Sequence, residues 1–259
     1  DRFAAFQYWP QAISAYTKAF ELSAEASTLM RRAAAYEGLK NMKAALEDLS
    51  GAVAKEPSSA PAVGARGMLL MKIGREAEAL ADLNRAYRID PKNIEVLIAR
   101  GSFMARTNKP TAAMSDFNAA IELGPKTSAE AYNNRGALYA NAFSDLEKSL
   151  QDISAAVELK PKDPGYHFNL GVIRLKSRNY LQALSSFDLA LSLRGPAARV
   201  LQYRAEAYSQ MGDFSKAMQD IQAALEKDPK NASLHDTLGN IRLRLRDYLA
   251  LVRDPRHAQ

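Results

Sequence analysis

The 259-residue chain contains no cysteine, which excludes disulfides and thiolate zinc sites but says little about compartment. Histidine is scarce too, at His167, His235 and His257. Neither of the first two has a second ligand one helical turn on, so both read as packing residues and not as metal ligands. No apolar run approaches the roughly 20 residues that a helical membrane span needs. Gly-rich phosphate loops, nucleophile elbows and zinc spacings are missing as well. The expectation is therefore a non-enzyme that needs no cofactor and no metal. What is present is 47% hydrophobic content, enough for a sizeable core. A formal charge of +6 with pI ≈ 9.4 permits acidic partners without demanding nucleic acid.

The dominant positive signal is a period. Pro57, Pro91, Pro125, Pro161 and Pro229 mark it, with Gly195–Pro196 filling the one gap; the intervals are 34, 34, 36, 34 and 34 residues. Before each mark stands one phrase, as in "ALEDLSGAVAKEP", "ALADLNRAYRIDP" and "AMQDIQAALEKDP". Apolar and small residues recur in it at helical spacing. A second helical phrase precedes it, such as "AEAYNNRGALY", and short turns such as "KIGRE" and "QMGDF" separate the two. A helix pair repeated at this period is the mark of a solenoid, which must be read before any local motif.

In phase over nearly the whole chain, these phrases closely resemble the tetratricopeptide repeat. Six full units start at Ala26, Ala60, Ile94, Ala129, Pro164 and Ala198 and fill residues 26–231. Residues 1–25 look like the tail of an earlier unit, with Ala12 and Ala19 in helix-B positions, and residues 232–259 form a partial or capping unit with a basic tail. On that reading the chain is an excerpt of a longer protein. The small residue at position 8 is Ala33, Gly67, Gly101, Gly136, Gly171, Ala205 and Gly239; the alanine at position 20 is replaced by Ser149 in the fourth unit. That unit carries one extra residue near Ala142–Phe143, and another precedes it after Pro125. The resemblance implies an all-α solenoid of antiparallel helix pairs, wound as a right-handed superhelix with the first helix of each pair lining its groove.

An arginine stands at position 7 directly before the small residue in five units, and each has an aspartate 16 or 17 residues later. The pairs are Arg32/Asp48, Arg66/Asp82, Arg100/Asp116, Arg135/Asp152 and Arg204/Asp220. The unit starting at Pro164 has lost both, to Leu170 and Ser186; the incomplete last unit has Leu238 yet keeps Asp254. A lone buried guanidinium is very costly, whereas a carboxylate can satisfy its planar fork in a bidentate way. The pairs therefore read as structural ties between the two helices of a repeat, with a ligand role as the alternative. Where position 7 loses its arginine, position 11 gains one, Arg174 and Arg242. A rearranged internal pair is the plainer reading of these, a groove contact the other.

Groove residues in the family commonly come from positions 2, 5, 6, 9 and 13. Position 6 reads Arg31, Ala65, Ala99, Asn134, Asn169, Tyr203 and Thr237. Asn134 and Asn169 resemble a short asparagine ladder that could bond the backbone of an extended peptide, with Tyr203 as an apolar platform. Arg199 stands at position 2, and Lys72, Arg106, Lys176 and Arg244 make position 13 basic in four of seven units. If these line the groove, they favour an acidic partner; a solvated helix end that suits the dipole is the alternative. The family's carboxylate clamp fails, since Ile98, Ser102, Ala137 and Tyr203 occupy positions it needs. The candidate groove set is thus Asn134, Asn169, Tyr203, Arg31, Arg106, Lys176 and Arg199. Such a chain is expected to be a non-catalytic scaffold that holds a partner segment or serves as a structural subunit of a larger assembly. The alternative is a nucleic-acid module using the basic groove and the arginines of "RLRLRDYLALVRDPRH".

Overall fold

The computed structural model describes residues 2–194 and 197–253. Among them are fourteen α-helices and no strand: α1 (Arg2–Ser23), α2 (Ala26–Gly38), α3 (Met42–Lys55), α4 (Ala60–Lys72), α5 (Glu76–Ile89), α6 (Ile94–Arg106), α7 (Pro110–Leu123), α8 (Ala129–Ala142), α9 (Leu146–Leu159), α10 (Pro164–Lys176), α11 (Tyr180–Arg194), α12 (Ala198–Gln210), α13 (Phe214–Lys227) and α14 (Ala232–Arg253). The fold is an all-α solenoid in which α2/α3, α4/α5, α6/α7, α8/α9, α10/α11 and α12/α13 are the helix pairs. The chain divides into two compact units, Asp1–Ala131 and Tyr132–Gln259.

Two turn types punctuate the array. Within a pair, the residue after the helix C-cap takes a left-handed conformation: Lys40, Gly74, Asn108, Ser144, Arg178 and Gly212 have φ between 55° and 81°. The next backbone N–H then reaches back to an orphan carbonyl near the helix end, as in Asn41 N→Tyr36 O, Arg75 N→Leu70 O and Asp213 N→Tyr208 O. In the fourth unit the same bond runs from Asp145 to Tyr139, one residue longer, which absorbs the insertion at Ala142–Phe143. Between pairs, the periodic proline is the second residue of a tight turn: Ser59 N→Glu56 O, Asn93 N→Asp90 O, Asp163 N→Lys160 O and Asn231 N→Asp228 O close it. Proline suits that place because its ring presets φ. After Pro125 the turn carries the extra Ser128, whose buried hydroxyl donates to Ala120 O at 2.9 Å. Gly195–Pro196 lies outside the described residues. His167 Nε2 and His235 Nε2 each donate to the turn proline carbonyl six residues back, at 2.7 and 2.9 Å.

The core is a strip of close helix contacts. Ala45, Ala79, Ala113, Ala183 and Ala217 at position 20 are fully buried. In the fourth unit Ser149 takes that place, also fully buried, and its hydroxyl has no hydrogen-bond partner among the described residues. A side chain added at Gly101 would meet Phe117 at 2.7 Å, at Gly136 Ile153 at 2.6 Å, and at Gly171 Phe187 at 2.4 Å. Glycine is required there because the second helix of the pair presses a large side chain against the first helix's backbone.

Candidate functional site

Five bidentate forks tie the repeats. Arg32, Arg66, Arg135 and Arg204 each donate from Nε and Nη2 to the two carboxylate oxygens of Asp48, Asp82, Asp152 and Asp220, at 2.6–2.8 Å. Arg100 grips Asp116 in the same way. The aspartates are buried. The hydrogen bond to the aspartate pushes each arginine pKa upward, against the opposing effect of desolvation. The outer edge of the guanidinium also reaches the preceding helix at Arg32, Arg204 and Arg100. Arg32 Nη1 donates to Thr17 at 3.1 Å, Arg204 Nη1 donates to Asp188 at 2.6 Å, and the Arg100 guanidinium lies 3.5 Å from the centre of the Tyr87 ring. These arginines therefore join three helices, two from one repeat and one from the repeat before.

The unit without the fork solves its problem differently. Arg174 Nη1 donates to the Ser186 hydroxyl at 2.7 Å and to Gln182 O at 3.3 Å. Its buried Nε has no partner among the described residues, and burial lowers its pKa. The charge has moved one turn along α10 and kept its contact with α11. Asp254 and His257 lie outside the described residues.

The position-13 cations turn backward, toward the preceding repeat. Lys72 Nζ donates to Glu37 at 2.6 Å, Arg106 to Met71 O and also to Glu76 at 3.3 Å, Lys176 Nζ to Asn141 at 3.2 Å, and Arg244 to Gln210 at 2.9 Å. Each links a repeat to its predecessor. Gly38 has no such side chain because Trp9 of α1 occupies the space beside it. Sequence reasoning weighed only a groove wall against a solvated end; repeat-to-repeat tying is what these residues do.

The asparagines also hold one another. Asn169 Nδ2 donates to Asn133 Oδ1 at 2.7 Å, and Asn133 Nδ2 donates to Asn134 Oδ1 at 3.1 Å. The connecting member, buried Asn133, was not among the expected site residues. Its place at position 5, one residue before Asn134, was the available signal. Tyr203 packs edge-on against Phe168, with ring centres 5.4 Å apart, and also lies against Phe187. Arg199 is exposed and sits 5.0 Å from the centre of the Phe168 ring, lining a small cleft of about 170 Å³. Arg31 and Arg106 belong to the first unit, where Arg31 is exposed on α2.

Within the second unit, two clefts adjoin along the first helices of successive repeats. One of about 610 Å³ is lined by Val172, Lys176, Arg178, Tyr180, Tyr203 and Glu206, with Leu175 and Gln210. The other, of about 430 Å³, is lined by Glu206 and Gln210 again, with Thr237, Asn240, Ile241 and Arg244. Of the expected groove residues, Lys176 and Tyr203 line the larger cleft. Val172, Glu206 and Asn240 stand at position 9, and sequence reasoning did not single them out. Glu206 interrupts the basic character expected of this face, and partial desolvation raises its pKa while Arg244 pulls it down. Among the described residues no group of three or more acidic or histidine side chains could hold a metal ion, and no helix is long and apolar enough to cross a membrane.

Two family models, each described as tetratricopeptide repeat, match residues 35–94 and 198–231. This is a tetratricopeptide repeat protein. A DnaJ homolog subfamily C member 7 homolog from Schizosaccharomyces pombe (strain 972 / ATCC 24843) is 27% identical over 108 residues, 42% of this chain. The chain spans 22% of that relative's length. Among solved structures, the APC/C hetero-tetramer Cut9–Hcn1 aligns with TM-score 0.81 at 17% identity, over 90% of this chain and 46% of the matched one. The pilF protein of Pseudomonas aeruginosa aligns with TM-score 0.69 at 18% identity, over 90% of this chain and 99% of the matched one. At such identities the structural likeness is one of fold. The tetratricopeptide repeat array and its fold support a protein-interaction scaffold in the general sense, and arrays of this kind are typically non-catalytic.

Proposed function

We propose that this tetratricopeptide repeat protein is a non-catalytic scaffold that holds a segment of a partner protein along the first helices of its second unit, α10, α12 and α14. As a structural subunit of a larger assembly it would use the same face. The observation that carries this reading is the pair of adjoining clefts that share Glu206 and Gln210. Together they offer a continuous track across successive repeats, with Tyr203 and Val172 as apolar floor and polar groups along it. Clefts of several hundred Å³ have room for side chains of a bound segment, and the polar groups in their walls can fix its orientation. The nucleic-acid reading draws on Arg242, Arg244, Arg246, Arg253 and Arg256, the last of which lies outside the described residues. Arg244 is bound to Gln210 and Arg246 to Asp247, and these internal bonds favour the protein partner. A photo-crosslinking side chain in place of Gln210 should capture a partner, and one in place of exposed Gln182 on α11 should not. Capture from Gln182 with none from Gln210 would refute the assignment of the face.

A further inference from the structure

The charges facing the larger cleft are not equally committed. Lys176 reaches away to Asn141 in the preceding repeat, and Arg244, beside the neighbouring cleft, reaches Gln210. Glu206 makes no hydrogen bond or ion pair among the described residues, and feels Arg244 only at a distance. It stands in the wall common to both clefts. The same larger cleft is lined by two tyrosines, Tyr180 on α11 and Tyr203 on α12, with Val172 and Leu175 of α10 supplying apolar surface. An uncommitted carboxylate and aromatic rings in one cleft are the chemistry of a cation site: the carboxylate supplies charge, the rings supply a negative face, and apolar surface receives an aliphatic stem.

We propose that this cleft takes a single cationic side chain, lysine or arginine, from an extended partner segment, with Glu206 as its counter-charge. The inference rests on the reading of the face as a partner groove and names the side chain it selects. It reverses the acidic partner that the basic position 13 suggests: Lys176, the position-13 cation beside this cleft, keeps its charge but reaches back to Asn141 of the preceding repeat, while the Glu206 carboxylate, unpaired among the described residues, stays in the cleft wall. Arg178, on the turn between α10 and α11, also lines the cleft and is exposed. Placed there, it disfavours a run of positive charges, so the selected residue is a cation flanked by neutral or acidic neighbours.

The test uses the whole chain and an array of short random peptides. Selected peptides are titrated by fluorescence anisotropy against the chain, Glu206→Gln, and Glu226→Gln on α13 as a surface control. A crosslinker in place of Gln210 reports where they bind. The expected result is enrichment of one lysine or arginine per peptide. Changing a selected lysine to norleucine should weaken binding about tenfold to the chain and to the control, but less than twofold to Glu206→Gln. Peptides that crosslink at Gln210 without a cation preference, or with one that Glu206→Gln leaves intact, overturn the inference and leave the groove reading standing. Selection of acidic peptides overturns it and gives the cleft to Arg178 and Lys176. Peptides that bind without crosslinking at Gln210 overturn both readings.

Discussion

At the scale of single residues, the arginine before the small residue is an architectural cation. Its inner edge grips an aspartate on the partner helix, and at Arg32, Arg100 and Arg204 its outer edge holds the preceding helix. Arg135 and Asp152 are 18% and 9% exposed at their side chains. Removing either strands the other charge in a poorly hydrated interface, at about 3 kcal/mol. Arg135→Ala and Asp152→Ala should each lower stability by that order in denaturant unfolding. The double mutant should cost clearly less than their sum; strict additivity would refute the coupling. A second contrast concerns glycine. At Gly171 an added methyl would sit 2.4 Å from Phe187, whereas at Gly239 it would meet nothing within 4 Å. Gly171→Ala should therefore lose about 1–3 kcal/mol through overpacking. Gly239→Ala, in a helix with free space, should gain up to about 1 kcal/mol from helix propensity. Equal effects at the two sites would contradict the packing account.

At the scale of elements, helices end where the chain can enter the left-handed region and return a backbone N–H to an orphan carbonyl. Gly74 and Gly212 do this without strain, while Lys40, Asn108, Ser144 and Arg178 carry a Cβ into the same region. Nothing lies within 4 Å of a side chain added at Gly74, so its cost there is purely conformational. Gly74→Ala should destabilise by about 1 kcal/mol, and Lys40→Gly should stabilise by a similar or smaller amount, both read from thermal unfolding. A neutral Gly74→Ala would mean that the turn, and with it the α4/α5 pair, tolerates another backbone path. The turns were legible in the sequence from their Gly, Asn and Asp residues. Their common left-handed conformation was not, because lysine, serine and arginine carry no such preference and are forced into it by helices packed on both sides.

At the scale of the whole molecule, stability and binding pull against each other at Glu206. Desolvation makes its ionised form less favourable in the folded chain, so its pKa is raised above the ordinary glutamate value. For an acid with a raised folded pKa, the penalty is full above that pKa and absent below the unfolded one. Glu206 is exposed, so solvent keeps the penalty small: Glu206→Gln should raise the melting temperature only slightly at neutral pH, and the gain should shrink as the pH falls into the range where the native carboxyl is already protonated. A gain that persists unchanged in acid would show that the substitution acts through packing. The residue that costs the free molecule is then the one proposed to pair with a partner's cation.

Much of this protein is written in its period. Proline spacing located the turns between pairs, helical spacing of small residues located the helices, and the joint replacement of arginine and aspartate by Leu170 and Ser186 in one unit pointed to the Arg–Asp partners. Those features are local, or are separated by a fixed step within one repeat, so one dimension suffices to read them. Contacts between repeats are different. Lys72, Arg106, Lys176 and Arg244 share a register position, and each had a solvated end, a groove and a neighbouring repeat within reach of a long side chain. Only the packing of one repeat on the next decides that they turn back to Glu37, Met71, Asn141 and Gln210. The same packing joins Asn169 to Asn133 and leaves Glu206 uncommitted in the wall of two clefts. Sequence distance sets which repeats are neighbours; the angle and depth at which their helices meet set which side chains are used up and which remain for a partner.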